Sequence, residues 1–383
     1  MYISHLSLTN FRNYHHLELD LPPGLLVFHG GNAQGKSNLL EAVYLLSIAK
    51  AYRATSDRDA ISRTAPDSHA QTQVLGIAQK GQDRVRIVVD MRLEGPGEEG
   101  YQSYLRKDIW VNGIPRLASE LVGVVNAVLF DAEDIQLVSG PPAARRRYLD
   151  ILICQLDRAY LRSLQRYQKV LYQRNHLLRL LRERRAQPRE MDFWNEAMVQ
   201  EGVYIALRRA QVVQELRALA GELYCQLTEA SEEMAMDYVP SVPLDGEEGK
   251  DAHHAFARIL EEGLGREMAL GSSQWGPHRD DVHLKIGEME AATYVSRGQA
   301  RTLALTLKLA EGALLERERG ESPVLLLDDV LSELDASHRR HLLEYVSRSQ
   351  QAFISTTDLD RIEEPFMGRA AKFLVEKGAV IPL

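Results

Sequence analysis

Gly30, Gly35, Lys36 and Ser37 stand at the spacing G-x-x-x-x-G-K-S, in the run Gly30-Gly31-Asn32-Ala33-Gln34-Gly35-Lys36-Ser37. Glycines at those places let the backbone wrap so that successive N–H groups point at phosphate oxygens. Lysine adds a cation for the β- and γ-phosphates and the serine hydroxyl a ligand for Mg²⁺, so these residues predict binding of a nucleoside triphosphate. Such a cradle needs a strand before it and a helix after it. Leu25 to Phe28, following the turn Pro22-Pro23-Gly24, reads as the strand, and Asn38 to Leu46 begins an amphipathic helix whose N-terminus adds a positive dipole end.

A second constellation lies near the other end of the chain. Val324 to Leu327 reads as a fully buried parallel strand that ends in Asp328-Asp329. A carboxylate at that strand end can hold Mg²⁺, and its neighbour can orient or deprotonate a water, so Asp328 is expected on the metal and Asp329 at the water. About 25 residues earlier, Ser296-Arg297-Gly298-Gln299 opens a helix with Leu303, Leu307, Ala310 and Leu314 on one face. A serine, a glycine and a helix N-terminus make an anion-binding patch, although the same four residues read equally as an ordinary helix cap.

The elements that must position these groups are α/β in pattern. Alternation at Leu17, Leu19 and Leu21, and again at Val85, Ile87, Val89 and Met91, predicts half-buried strands. Lys80-Gly81-Gln82-Asp83 and Asn112-Gly113 are hairpin signals, so an antiparallel β layer is expected beside the nucleotide core. Glu94 to Gly100 reads as a polar loop. Apolar positions from Leu149 to Leu171 recur at spacings of three and four, which predicts one long helix over about 143–186, roughly 65 Å at ~1.5 Å per residue. After Gln187-Pro188, residues 193–230 resume the period, so an antiparallel hairpin is expected. Its midpoint near 189.5 would set Cys154 and Cys225 level. Residues 238–250 read as an acidic loop, about 252–264 as a further helix, and Val282, Leu284 and Ile286 as a returning strand. The expected architecture is an ATPase head in two pieces, 1–142 and 271–383, with an α-helical lobe, 143–270, inserted between them.

Net charge is −8, which taken alone argues against a nucleic-acid binder. The distribution argues the opposite: residues 145–190 hold thirteen basic against four acidic residues, a local +9 that leaves −17 elsewhere. A solvated helical surface is one reading of the basic segment, and salt-dependent, sequence-independent binding of duplex DNA is the other. Two cysteines give no disulfide framework and are expected as buried free thiols, and no run approaches a membrane span, so a cytoplasmic protein is expected. His278 and Arg279 read either as a turn held by Gly276-Pro277 or as phosphate ligands. His15 and His16 are expected at the surface, and Trp110, Trp194 and Trp275 in packing.

Taken together, these residues resemble the ATP-binding cassette superfamily and, within it, the branch related to SMC proteins. The resemblance rests on Asn10-Phe11-Arg12, Gly35 to Ala42, Arg145 to Asp150, Gly276 to Asp281, the Ser296–Gln299 signature and Leu325 to Asp335, and covers nearly the whole chain. It implies a cassette-type P-loop head in which two subunits sandwich two ATP molecules, with Ser296, Gly298 and Gln299 of one reaching the γ-phosphate held by Lys36 of the other. Asp335 matches the aspartate that communicates across such an interface. Asn10 and Arg12 match positions near the nucleotide, and Arg53 is expected near it too. The resemblance further implies a weak, DNA-stimulated ATPase switch of recombinational repair and fork maintenance. Its implied partners are double-stranded DNA and single-strand/double-strand junctions, RecR with RecO, a second copy of itself and, indirectly, RecA at single-stranded gaps.

Two departures bear on rate. Transporter cassettes carry Glu where this chain has Asp329 and His where it has Thr357, which predicts slow turnover. No residue is a secure counterpart of the glutamine loop. Gln136 stands close, with Asp131, Glu133 and Asp134 equally plausible near the metal. Rival readings are a transporter subunit, a nuclease-linked ATPase of the overcoming-lysogenization type and a long-armed SMC clamp. The 259-residue interval from Ser37 to Ser296, the short tail and the short insertion argue against each in turn.

Overall fold

In a computed structural model of the chain, the described residues are 1–53, 56–62, 71–94, 104–228, 233–244 and 250–383. The loop expected after Glu94, the end of the helix expected to reach Ala230, and the acidic core of the 238–250 loop lie outside them. The chain divides into two compact units: Met1–Asp134 with Ala304–Leu383, and Ile135–Leu303.

The first unit opens with strands β1 (Tyr2–Phe11), β2 (Tyr14–Asp20) and β3 (Gly24–His29), then helix α1 (Lys36–Ile48). Strands β4 (Gln71–Lys80), β5 (Asp83–Glu94), β6 (Tyr104–Val111), β7 (Ile114–Arg116) and β8 (Ala127–Asp131) follow. The hairpin signals fold as read. Gly81 turns β4 into β5, while Asn112 and Gly113, both at positive φ, turn β6 into β7.

In the second unit, helices α2 (Pro142–Leu156), α3 (Arg158–Arg182) and α4 (Asp192–Thr228) precede β9 (Met234–Val239) and α5 (Lys250–Leu270). Strands β10 (Asp281–Ile286) and β11 (Met289–Glu290) come next. Helix α6 (Arg297–Arg319) begins in this unit and ends in the first, where β12 (Val324–Asp328), α7 (Ala336–Arg348), β13 (Gln351–Thr356), β14 (Ala371–Glu376) and β15 (Ala379–Pro382) complete the chain.

Two six-stranded sheets build the first unit. One is antiparallel, in the order β2-β1-β4-β5-β6-β7; the other, β15-β14-β3-β13-β12-β8, is parallel except for β15. The parallel strands are apolar because both faces are covered: every residue of β12 and β13 is buried. Phe28 stacks between Phe353 and Phe373 of the flanking strands, at centroid distances of 5.7 and 4.9 Å, which locks β3 in place directly before the glycine-rich loop.

The second unit departs from the sequence reading in four ways. The expected single helix over 143–186 is two helices, because Asp157 leaves helical geometry and its side chain accepts from the N–H groups of Ala159 and Tyr160 as an N-cap. Apolar periodicity runs through such a break unchanged and cannot reveal it. The cysteines are not level: Asp150 meets Arg209 and Asp157 meets Tyr204, so Cys225 lies about four turns, ~24 Å, beyond the stretch of α4 opposite Cys154. Cys154 is buried, but Cys225 is exposed. Finally, the 282–286 strand pairs with β9 and β11 in a small antiparallel sheet of this unit, so the return to the first unit falls at Ala304 rather than near residue 271.

Candidate nucleotide site

Gly30 and Gly35 are required by geometry. A Cβ on Gly30 would sit 2.2 Å from the Val375 carbonyl oxygen, and one on Gly35, at φ 121°, would sit 2.7 Å from Asn13 Nδ2. Asn13 Nδ2 donates to the Gln34 carbonyl at 2.9 Å, Asn38 Nδ2 donates to Asn13 Oδ1 at 2.8 Å, and Tyr14 Oη donates to the Gly35 carbonyl at 3.0 Å. From the other side, Lys377 N–H donates to Gln34 Oε1 and Gly378 N–H to the Gln34 carbonyl. The cradle is thus clamped between two hairpin turns. Helix α1 has no acidic residue in its first turn, which leaves its N-terminal dipole for an anion.

Lys36 Nζ donates to the Gly30 and Gly31 carbonyls at 2.7 and 2.8 Å. Burial lowers its pKa, opposed by the charges of Asp329 and Asp328. Asp328 gathers the other polar groups. Its Oδ1 accepts from Ser37 Oγ at 2.7 Å and Ser355 Oγ at 2.8 Å, and its Oδ2 accepts from Tyr52 Oη at 3.0 Å and faces Arg53 at 3.2 Å. Ser37 and Asp328, a hydroxyl and a carboxylate in contact at the mouth of the loop, are hard oxygen donors that fit Mg²⁺. Among the described residues no group of three His, Cys, Asp or Glu could hold a metal, so the remaining ligands would come from phosphate and water.

Asp329 takes up a left-handed conformation, φ 55°, which aspartate tolerates better than most residues, and its N–H donates to Ser355 Oγ. Burial raises the pKa of its carboxyl, Lys36 lowers it and Asp328 raises it again. Asp131 pairs with Asp328 across β8 and β12, and burial raises its pKa as well.

Other expected residues fall differently. Asn10 and Arg12 do not aim at the loop. Arg12 forks onto Glu41 of α1 with two 2.8 Å bonds and donates to the Asp59 carbonyl, while Asn10 donates to the Gln71 carbonyl. Ser296 and Gln299 form a reciprocal cap, Gln299 N–H donating to Ser296 Oγ at 3.3 Å and Ser296 N–H to Gln299 Oε1 at 2.9 Å. Ser296, Gly298 and Gln299 are all exposed, and a Cβ on Gly298 would meet only Ser296 Oγ, at 3.9 Å. Asp335 caps α7 through His338 and stays largely exposed. Gln136 and Thr357 are exposed.

His278 is buried structure. Tyr167 Oη lies 2.6 Å from its Nδ1 and the Ser273 carbonyl 3.2 Å from its Nε2, and Arg279 donates to that same carbonyl. Of the thirteen cations in 145–190, Arg145, Arg146 and Arg174 are turned inward onto Asp281, the Asp280 carbonyl and Glu267, leaving ten exposed. Asn13, Tyr14, Tyr52 and Ser355 were not anticipated. Asn13 and Tyr14 directly follow Asn10-Phe11-Arg12, but they obey no spacing rule relative to the loop and only the β1–β2 turn brings them there.

A phosphate loop before α1, an acid pair at the end of the second strand over, and an S-x-G-Q helix start define a cassette-type ATPase head related to SMC heads. A family model described as RecF/RecN/SMC N terminal domain matches residues 2–367. The DNA replication and repair protein RecF of Chloroflexus aggregans is 40% identical over 393 residues, covering 99% of both chains, and that of Listeria innocua is 36% identical over 381 residues, with 99% coverage. A solved structure of the recombination mediator protein RecF-ATP in the RecFOR pathway matches with a TM-score of 0.89 at 30% identity, covering 100% of this chain and 97% of that one. An Smc head domain from Pyrococcus furiosus matches in fold, with a TM-score of 0.53 at 16% identity. The chain belongs to the RecF family of DNA replication and repair proteins.

Proposed function

We propose that the chain is an ATP-driven dimerisation switch that holds duplex DNA during recombinational repair and hydrolyses ATP slowly. In this reading Gly30 to Asn38 cradle the triphosphate, Lys36 binds the β- and γ-phosphates, and Ser37 with Asp328 holds Mg²⁺. When bound, the metal supplies charge neutralisation at the phosphates. Asp329 orients and deprotonates the attacking water: its raised pKa suits a base, but its short side chain suits slow turnover. Tyr52, Arg53 and Ser355 fix the Asp328 carboxylate. Arg12 supports the loop through Glu41 of α1 rather than by touching nucleotide.

The observation that carries the reading is the exposed Ser296–Gln299 cap. Its side chains already close the first turn of α6, so exposure at this place leaves a preformed anion-binding face for a γ-phosphate held by a second copy. ATP then joins the subunits, Asp335 communicates across the joint, and hydrolysis removes the group both subunits grip.

DNA binding is supported by one face of α3. Arg158, Arg162, Gln165, Lys169, Tyr172, His176 and Arg179 follow one another at alternating intervals of four and three, and all are exposed. No acidic residue occurs from Arg158 to Arg182. The stripe is ~32 Å long, enough for several phosphates, and the acidic remainder keeps other surfaces off the backbone. Assembly with RecR and RecO, and through them help to RecA at gaps and junctions, is supported by the RecF relatives of the RecFOR pathway. No described helix is long and apolar enough to cross a membrane, and the RecF relatives support a cytoplasmic location.

Size-exclusion chromatography of wild type, Lys36→Arg and Ser296→Arg, with ATP and with or without duplex DNA, tests the reading. Wild type is expected to dimerise with ATP. Ser296→Arg is expected to bind ATP yet remain monomeric; dimerisation equal to wild type would overturn the shared site.

A further inference from the structure

Asp328 Oδ2 has two partners, Tyr52 Oη and Arg53, and both lie in the chain that leaves the end of α1. Neither residue belongs to a helix or strand, so no regular ladder holds them in place. Two carboxylates grip their backbone instead. Asp57 Oδ1 accepts the Ala51 N–H at 3.0 Å, and Glu41, fully buried in α1, accepts the Arg53 N–H at 3.2 Å. The N–H groups on either side of Tyr52 thus each end on an acid.

Each acid carries its own cation. Arg12 forks onto Glu41, while Lys107 Nζ donates to Asp57 Oδ2 and, at 2.7 Å, to the carbonyl of Ala49, the left-handed residue that ends α1. One ammonium therefore joins the point where the helix stops to the point where the one-turn helix Asp57–Ala60 starts. Arg12 closes the far side, its N–H donating to the Ala60 carbonyl at 2.9 Å and its guanidinium to the Asp59 carbonyl at 2.7 Å.

Packing does not explain Lys107. On β6 it lies on the sheet face that covers α1: Ile109 two residues on and its cross-strand partner Met91 are buried, and Leu46 of α1 fills the same face at Gly76. An apolar side chain would suit that row, and a cation there is offset only by specific partners. Both of its partners lie in the chain that carries Tyr52 and Arg53. The side chains of Lys107 and Asp57 are 18% and 16% exposed, so salt screens the pair weakly.

We infer that Lys107 is a positioning residue of the nucleotide site: through Ala49 and Asp57 it sets the backbone from which Tyr52 and Arg53 reach Asp328. It touches neither nucleotide nor metal. A carboxylate that ligates a metal needs outer partners to fix its orientation, and losing one typically costs about 10–100-fold in metal affinity or activity. Tyr52 and Arg53 occupy Oδ2, which leaves Oδ1 turned to Ser37. Lys107 acts behind them, on the metal-dependent part of nucleotide binding. This rests on the reading of Ser37 and Asp328 as Mg²⁺ ligands and extends it to β6.

The test uses the full chain and a fluorescent ADP analogue, titrated in excess Mg²⁺ and again in EDTA; the ratio of the two affinities is the metal-dependent gain. Thermal unfolding is followed alongside. For Lys107→Met the expectation is affinity in EDTA within about twofold of wild type and a gain about tenfold smaller. Lys107→Arg, which can still donate to Ala49 and Asp57, should recover most of the gain. Tyr52→Phe keeps its ring edge-on to Tyr44 but loses the hydroxyl; it should lower the gain as well, and the double Lys107→Met/Tyr52→Phe should be no worse than Lys107→Met. Equal losses in EDTA and in Mg²⁺ that follow a lowered unfolding temperature, or multiplying effects in the double variant, would overturn the inference. Ser37→Ala separates the two claims. If it keeps the full gain, the assignment of the metal to Ser37 and Asp328 fails; if it loses the gain while Lys107→Met keeps it, only the role of Lys107 fails.

Discussion

The two units spend their charged residues in opposite ways. In the first, Lys36, Arg53, Asp328 and Asp329 converge at the ends of β3 and β12, where opposite charges face one another at the mouth of the glycine-rich loop. In the second, the largest buried charges cancel each other. Arg174 and Glu267 are both fully buried, with Asn195 and Ser273 accepting from two further donors of Arg174, and Arg209 joins Asp150, Tyr160 and the Pro277 carbonyl. Three of the thirteen cations of the 145–190 segment, Arg145, Arg146 and Arg174, are thus internal bracing, and a count of arginines overstates the cationic surface by those three.

That contrast can be broken from either side. Arg174→Met leaves Glu267 buried without its cation and is expected to cost about 3–5 kcal/mol, read as early denaturant unfolding of residues 135–303 by hydrogen exchange, with nucleotide binding by the first unit retained. Asp329→Asn reverses the pattern. It is expected to lower steady-state ATP hydrolysis about 10²-fold while leaving ATP affinity and the unfolding midpoint nearly unchanged. Because burial raises the pKa of Asp329, the hydrolysis rate of wild type should fall on the acid side at a higher pH than an ordinary aspartate would give.

Smaller effects sharpen the comparison. Replacing Arg158, Arg162, Lys169 and Arg179 together by alanine should weaken duplex binding uniformly across sequences. It should also flatten the slope of log affinity against log salt by about 0.9 for each lost phosphate contact, measured by titration at several salt concentrations. Smallest is the response to pH, which should have opposite signs in the two units. Burial holds the pKa of His278 at about 4, and the unfolded chain binds a proton at higher pH than the fold does, so stability of the second unit falls as pH drops from about 6.5 to 4. Burial raises Asp134 to about 7, so the folded first unit keeps a proton that the unfolded chain has released, and its stability falls as pH rises from about 4 to 7. Hydrogen exchange across that range, resolved by unit, should show slopes on the order of 1 kcal/mol per pH unit that His278→Gln and Asp134→Asn each flatten in one unit alone.

How legible the chain was differs between the same two regions. The phosphate loop, Asp328 and the β6–β7 turn obey local rules, since each depends on backbone conformations or strand ends that a few adjacent residues dictate, and they fold as read. Asp157, which caps α3, hid inside an unbroken apolar period. The β9–β10 pairing hid because its strands are separated by a helix of 21 residues, and no local pattern reports a partner that far away. Asn13, Tyr52 and Ser355 reach the site from a turn, a bend after α1 and a neighbouring strand, so their roles exist only in three dimensions. Arg12 matched a family position, and its contacts go instead to Glu41, a residue the pattern did not single out.

Cross-linking tests the closed pair of subunits most directly. Asn32 and Ser296 are both exposed, one on the phosphate loop and one at the start of α6. In a chain carrying Asn32→Cys, Ser296→Cys and Cys225→Ser, a short bismaleimide should yield covalent dimers with ATP and magnesium and none with ADP. If ATP binds with unchanged affinity and no covalent dimer forms, the two subunits do not share their nucleotides and the central claim is contradicted.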